Sequence, residues 1–152
     1  MSVVFMKDTE LLFKVSDIGD GKGKGLVASK LLEAGEVIVV EEPLLVVHST
    51  DNEDILKELV NASHEVKDRI MRLSDLGDLD LGCAEFFSGL TSSDNQHLNM
   101  GQADDKRTLE VLMRKFRANM LGAPGEVEED SCAVYDTICL INHRLGKFQK
   151  SI

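Results

Sequence analysis

The chain contains no tryptophan and one tyrosine, Tyr135, so large aromatic anchors are scarce. Cations are also short: 17 Lys and Arg face 27 Asp and Glu, for a net charge of −10. Phosphate backbones are gripped by clustered cations, so the chain is a poor candidate for sequence-independent nucleic-acid binding, and no nucleic-acid partner is expected. The acidity would suit a basic peptide, but its plainest role is a solvated, soluble surface. Only three cysteines occur, Cys83, Cys132 and Cys139, far apart and without C-x-x-C spacing. Neither a structural zinc site nor a redox pair is supported, and buried free thiols in a reducing compartment are expected. His48, His64, His97 and His143 are scattered, which leaves no metal-ligand cluster. No apolar run approaches the ~18 residues of a membrane span. Residues 1–14 lack a signal-peptide core. These absences lead to an intracellular expectation, cytoplasm or nucleus, with no membrane partner.

What is present is a globular composition. The 152 residues are 43% apolar and 29% charged, enough for one domain with a real core. Leu11 to Ser16 is a short apolar run, ended by a turn cluster from Asp17 to Gly25, and Leu26 to Ala28 resumes an extended pattern. Glu33-Ala34-Gly35-Glu36 reads as a tight turn before Val37-Ile38-Val39-Val40, a β-branched run that fits a buried strand. Pro43 lacks a backbone donor and belongs at a strand end or edge, and Leu44 to Val47 is the next strand candidate.

From Asp51 the period changes. Ile55, Leu56, Leu59, Val60, Val66, Ile70, Met71 and Leu73 fall at helical spacing, with Asp51 or Asn52 as one cap and Ser63 as a second. Ser74 to Gly82 is polar and glycine-punctuated, and Ser88 to Gln102 reads as a mobile loop. Asp104 to Leu121 is helical again, with Leu109, Leu112, Met113, Phe116 and Met120 on one stripe. Gly122 to Ser131 reads as an acidic loop.

Two patches carry potential chemistry. In the first, Gly21, Gly23 and Gly25 alternate, which allows positive φ and close approach of backbone to a ligand. The spacing fits neither a P-loop nor a dinucleotide loop: no Ser or Thr follows Gly-Lys, and the third glycine of G-x-G-x-x-G is one position early. Taken alone the loop is a plain turn with two solvated lysines, Lys22 and Lys24. The second patch is Ile138-Cys139-Leu140-Ile141-Asn142-His143, preceded by Val134 to Thr137. Alone, its histidine is an ordinary structural residue.

Together, and in this order, the patches resemble the start and middle of a SET domain, the family that methylates lysine with S-adenosylmethionine. The matching residues are Lys22-Gly23-Lys24-Gly25, Gly35-Glu36, Glu41-Glu42-Pro43 and Asn142-His143, the last resembling the opening of Asn-His-Ser-Cys-x-Pro-Asn. The resemblance implies an α+β, SET-like fold of mostly short β-strands around an inserted helical lobe. The incomplete domain would span residues 11–143, the insert about 51–121, and 144–152 would be an unrelated tail. It implies that Lys22, Gly23 and Lys24 meet the amino-acid end of S-adenosylmethionine, where a lysine would suit the carboxylate. It also implies that Asn142 and His143 meet the adenosine end. Asn119, in Phe116-Arg117-Ala118-Asn119, stands where the family often has a cofactor-touching Asn, although it could equally cap a helix end.

The resemblance breaks between His143 and Arg144. No Ser-Cys-x-Pro-Asn, Gly-Glu-Glu-Leu strand, substrate-side tyrosine or post-SET cysteine set follows. Methyl transfer needs a neutral amine aligned with a sulfonium methyl, and such positioning can contribute ~7–11 kcal/mol only when both pockets exist. The expectation is half a cofactor site, no catalytic residue and no methyl transfer by this chain. The complete family member would take a protein or peptide lysine as its partner. A competing reading is a non-catalytic interaction module built on the apolar stripes of helices near 51–73 and 104–121.

Overall fold

The computed structural model describes residues 12–18, 24–74, 82–90, 106–122 and 130–141. It is an α+β protein in two units, one formed by residues 1–40 with 140–152 and the other by 41–139.

In the first unit, strands β1 (Phe13–Asp17) and β2 (Lys24–Ala28) pair antiparallel, from Phe13 opposite Ala28 to Asp17 opposite Lys24. The ladder therefore runs further into the expected turn cluster than the sequence suggests. Asp17, Lys24 and Gly25 are strand residues, and Gly25 is buried in the ladder without positive φ. The turn at Glu33–Glu36 forms as expected. Gly35 sits at φ 87°, a left-handed conformation natural to glycine, and Glu36 N donates to Glu33 O at 3.1 Å. Glu36 returns the contact, its Oε2 accepting from Glu33 N at 3.1 Å.

The expected buried strand at Val37–Val40 does not form. These residues belong to no strand, and Val37 and Val40 are 67% and 85% exposed. A strand is stable only when a neighbour satisfies its backbone groups and covers a face. None of the described residues pairs with 37–40, so β-branched composition alone is insufficient.

The second unit holds the core. Strand β3 (Leu45–Val47), β4 (Leu121–Gly122) and β5 (Cys132–Val134) make a small antiparallel sheet in the order β3-β5-β4. Pro43 lies just before β3, as expected, and Leu44 N donates to Val134 O at 2.8 Å. Helices α1 (Asn52–Asn61), α2 (His64–Met71), α3 (Cys83–Gly89) and α4 (Lys106–Asn119) complete the unit. The first three all pack on α4.

The stripe on α4 explains that arrangement. Leu109, Leu112, Met113 and Phe116 recur at i, i+3, i+4 and i+7, and all are buried. Ile55, Leu56 and Leu59 of α1 and Ile70 of α2 meet them in one cluster that also takes in Val47, Cys132 and Val134. Both helical stripes thus face the core.

Helix ends follow local chemistry. Ser63 caps α2, its Oγ accepting from Val66 N at 3.3 Å. Asp51 occupies the cap position of α1 but makes no side-chain cap bond. Lys67 Nζ donates to Val60 O at 2.9 Å and satisfies a carbonyl in the last turn of α1. Helix α3 is hidden in the sequence. Ser88 and Gly89 read as loop, yet Cys83 and Phe87, one turn apart, are both buried and hold the segment on α4. The rest of the expected loops at 91–102 and 123–129, and the 144–152 tail, lie outside the described residues.

Candidate functional site

The second unit places three sequence-singled segments side by side: the acidic-proline step at 41–43, the end of α4 at Asn119, and the lead-in at 134–139. One carboxylate joins the first to the last. Glu41 Oε1 accepts from the backbone N–H of Asp136 at 2.9 Å and of Thr137 at 3.0 Å. Its Oε2 accepts from Thr137 and Ile138, both at 3.0 Å. Those N–H groups stand at the opening of a 3-10 turn, Ile138–Leu140. The first donors of a helical turn have no partner within it, and a carboxylate satisfies them with favourable charge.

Asp136 is tied in turn to α2. Arg69 Nε and Nη2 donate to Asp136 Oδ2 at 3.0 and 2.6 Å. Both side chains are about a third exposed, 32% and 40%, so the pair orients the turn more than it stabilises the fold.

Cys139 links the turn to α4. Its Sγ accepts from Tyr135 N–H at 3.2 Å and donates to Asn119 O at 3.0 Å. Burial pushes the Cys139 thiol above the ordinary 9.0, opposed by the Tyr135 N–H and reinforced by the charges of Glu41 and Asp136. Burial likewise raises Cys132. Burial first, then Cys139 and Glu41, holds the Tyr135 phenol up as well. A thiol raised in the folded state contributes stability that is fully present below its unfolded value and is lost as pH rises through its folded value. Melting temperature should therefore hold level from about pH 7 to about pH 8.5 and fall above that range. The alkaline fall should be shallower in Cys139→Ala. Scanning fluorimetry from neutral into the alkaline range checks this; an identical pH profile in the variant would contradict it.

The expected cofactor residues divide as follows. Lys24 opens β2, exposed, opposite Asp17. Asn119 ends α4, and its Nδ2 donates to Ser74 O and Lys115 O, both at 2.8 Å. Both amide hydrogens are thus committed, and the bond to Lys115 O is that of a helix-end residue closing its own last turn. A ligand could meet Asn119 only through Oδ1. Lys22, Gly23, Asn142 and His143 lie outside the described residues.

In the sequence Glu41 and Asp136 stand out only as parts of motifs, with no role of their own, and Arg69 does not stand out at all. The available signal for Glu41 is an acid just before a proline-terminated strand start, where a partner turn must lie close. For the pairing of Arg69 with Asp136 there is none, since two opposite charges 67 residues apart announce nothing.

Among the described residues no group of His, Cys, Asp and Glu could hold a metal ion, and no helix is long and apolar enough to cross a membrane. A shallow hollow lined by Asn52, Gly82, Glu85, Phe86, Gly89 and Leu90 contains none of the sequence-predicted site residues. No family model, curated protein or solved structure matches the chain.

Proposed function

We propose that these residues form part of a SET-type, S-adenosylmethionine-binding domain of protein-lysine methyltransferase descent. The observation that carries the proposal is the meeting of segments from the two resembling patches. Glu41 of the acidic-proline step bonds the segment leading to Asn142-His143, across 95 residues of chain, and Cys139 ties that segment to Asn119. The Gly35 turn and the exposed Lys24 suit the reading, Lys24 offering an ammonium to a carboxylate.

S-adenosylmethionine would supply the methyl group of such a domain; the residues of this chain would bind and orient it. Lys22, Gly23 and Lys24 are proposed for its amino-acid end, Asn142 and His143 for its adenosine end, and Asn119 for a contact through Oδ1. The full domain would act on a protein or peptide lysine.

Equilibrium dialysis with labelled S-adenosylmethionine tests the binding. Retention is expected at about millimolar dissociation constant, weakened further by Asn142→Ala. No retention at that level would overturn the reading. With histone or bulk protein added, the 152 residues are expected to transfer no tritium-labelled methyl. Robust transfer, abolished by Asn142→Ala, would show that the chain holds more of the site than half.

A further inference from the structure

We infer that the hollow beside α3 and the start of α1 docks a basic peptide, taking an apolar side chain flanked by Lys or Arg. The inference stands on the second unit alone and is independent of the cofactor reading. The hollow holds ≈ 640 Å³ but is shallow. Small-molecule sites of that volume are clefts that enclose most of their ligand. A side chain carried on a peptide suits an open site better, because the peptide's own backbone closes it.

Helix α3 divides its apolar residues between two sides. Cys83 and Phe87, one turn apart, are buried and hold the helix on α4. Phe86 and Leu90, also one turn apart, stay half-buried and line the hollow. The Phe86 ring meets Phe87 edge to face, with centroids 5.6 Å apart and planes at 89°. The core thus fixes this wall before a ligand arrives, which lowers the ordering cost of binding. The hollow stays open at Gly82 and Gly89, where an added Cβ would meet no atom within 4 Å. Gly82 sits at φ 75°, natural to glycine, whereas Gly89 has no positive φ and could carry a side chain.

Charge complementarity selects the occupant. Glu85 is exposed at the hollow beside Phe86, and among the described residues its carboxylate has no hydrogen-bond or ion-pair partner. No Lys or Arg occurs among the described lining residues. Arg117, outside the lining, is committed to the protein itself, donating to Asn52 Oδ1. An acidic peptide would be repelled at Glu85, and a second copy carrying a net charge of −10 would be repelled as a whole. A cation beside an apolar residue serves the carboxylate and the Phe86–Leu90 wall together. The apolar contact anchors, and the exposed charge pair, worth less, chooses the partner.

The test is an amide-resolved NMR titration of the intact chain, without S-adenosylmethionine, with a short synthetic peptide carrying Arg-Leu-Lys at its centre. Shifts are expected at Asn52 and at 82–90, with a dissociation constant of about 0.1–1 mM. Replacing the peptide's Leu by Ser should weaken binding about tenfold. Replacing its two cations by Glu should abolish the shifts. On the protein, Gly89→Leu fills the open space and should also abolish them, while Glu85→Lys should weaken binding about fivefold. Should Gly89→Leu not fold, Glu85→Lys on the exposed surface decides with the peptide series. No shift at about millimolar peptide, shifts centred elsewhere, or equal binding of the Ser peptide would overturn the inference. So would undiminished binding by Gly89→Leu or by Glu85→Lys. Concentration-dependent shifts at 82–90 without peptide would assign the hollow to a second copy instead. Nuclear Overhauser contacts from Phe86 to residues 91–105 in the free chain would assign it to the chain's own segment, and either result overturns the peptide site.

Discussion

Phe116→Ala should lower stability by about 3–5 kcal/mol, the range for removing a fully buried aromatic ring that its surroundings can only partly refill. Phe116 has no exposed surface and sits on the α4 stripe that receives α1, α2 and α3. Three helices converge there, so collapse into the void would require all three to move against their own packing. A domain of this size has roughly 5–15 kcal/mol in total. The substitution therefore removes a large share, and the melting temperature should fall by roughly 6–20 °C. Thermal denaturation followed by far-ultraviolet circular dichroism measures this directly. A fall below about 2 °C would mean that the helical lobe is not organised around α4.

The second large effect expected is that of Glu41→Ala. Hydrogen bonds to a charged group contribute about 1.5–3 kcal/mol each, but the four contacts here share three donors and one carboxylate. The donors are only part-buried, so water can reach some of them after truncation. A net cost of about 2–3 kcal/mol follows, smaller than the simple sum. It should appear as a melting-temperature fall of roughly 5–10 °C in thermal denaturation. Arg69→Met, which breaks a half-exposed ion pair at the same turn, should cost far less. Equal losses in the two variants would contradict the assignment of the main grip to Glu41.

Phe116 and Glu41 also mark how far the sequence can be read. Phe116 is legible because a 3.6-residue period sustained over a long segment fits little besides an amphipathic helix, and the same logic places Leu109, Leu112, Met113 and the residues of α1. Ser63 and Gly35 are legible because each does a job that few side chains can do. Val37–Val40 misleads for a physical reason: strand composition records what a segment tolerates, while the ladder depends on a neighbour elsewhere in the chain. Strand β5 touches the stretch notable for its resemblance only at Val134, since three apolar residues between an acidic loop and a turn carry no period. Helix α3 is masked by Ser88 and Gly89, weak helix formers kept in place by the burial of Cys83 and Phe87.

The candidate site divides along the same line. Its ligand-facing residues are proposed from local patterns, glycine alternation and an Asn-His pair. What joins the segments of the second unit, Glu41 to 136–138 and Cys139 to Asn119, consists of long-range contacts to backbone groups. Backbone donors and acceptors are the same at almost every residue, so no pattern could announce which carboxylate would meet which turn.

The most direct test of the central claim is an amide-resolved NMR titration of the 152-residue chain with S-adenosylmethionine. The account predicts shifts concentrated at Lys22, Gly23 and Lys24, at Asn119, and at Asn142 and His143. Shifts at the first and last of these groups, weak in affinity but local in position, would place the ligand where the resemblance does. No shift at about millimolar ligand, or shifts gathered instead around the hollow at Phe86 and Leu90, would contradict it.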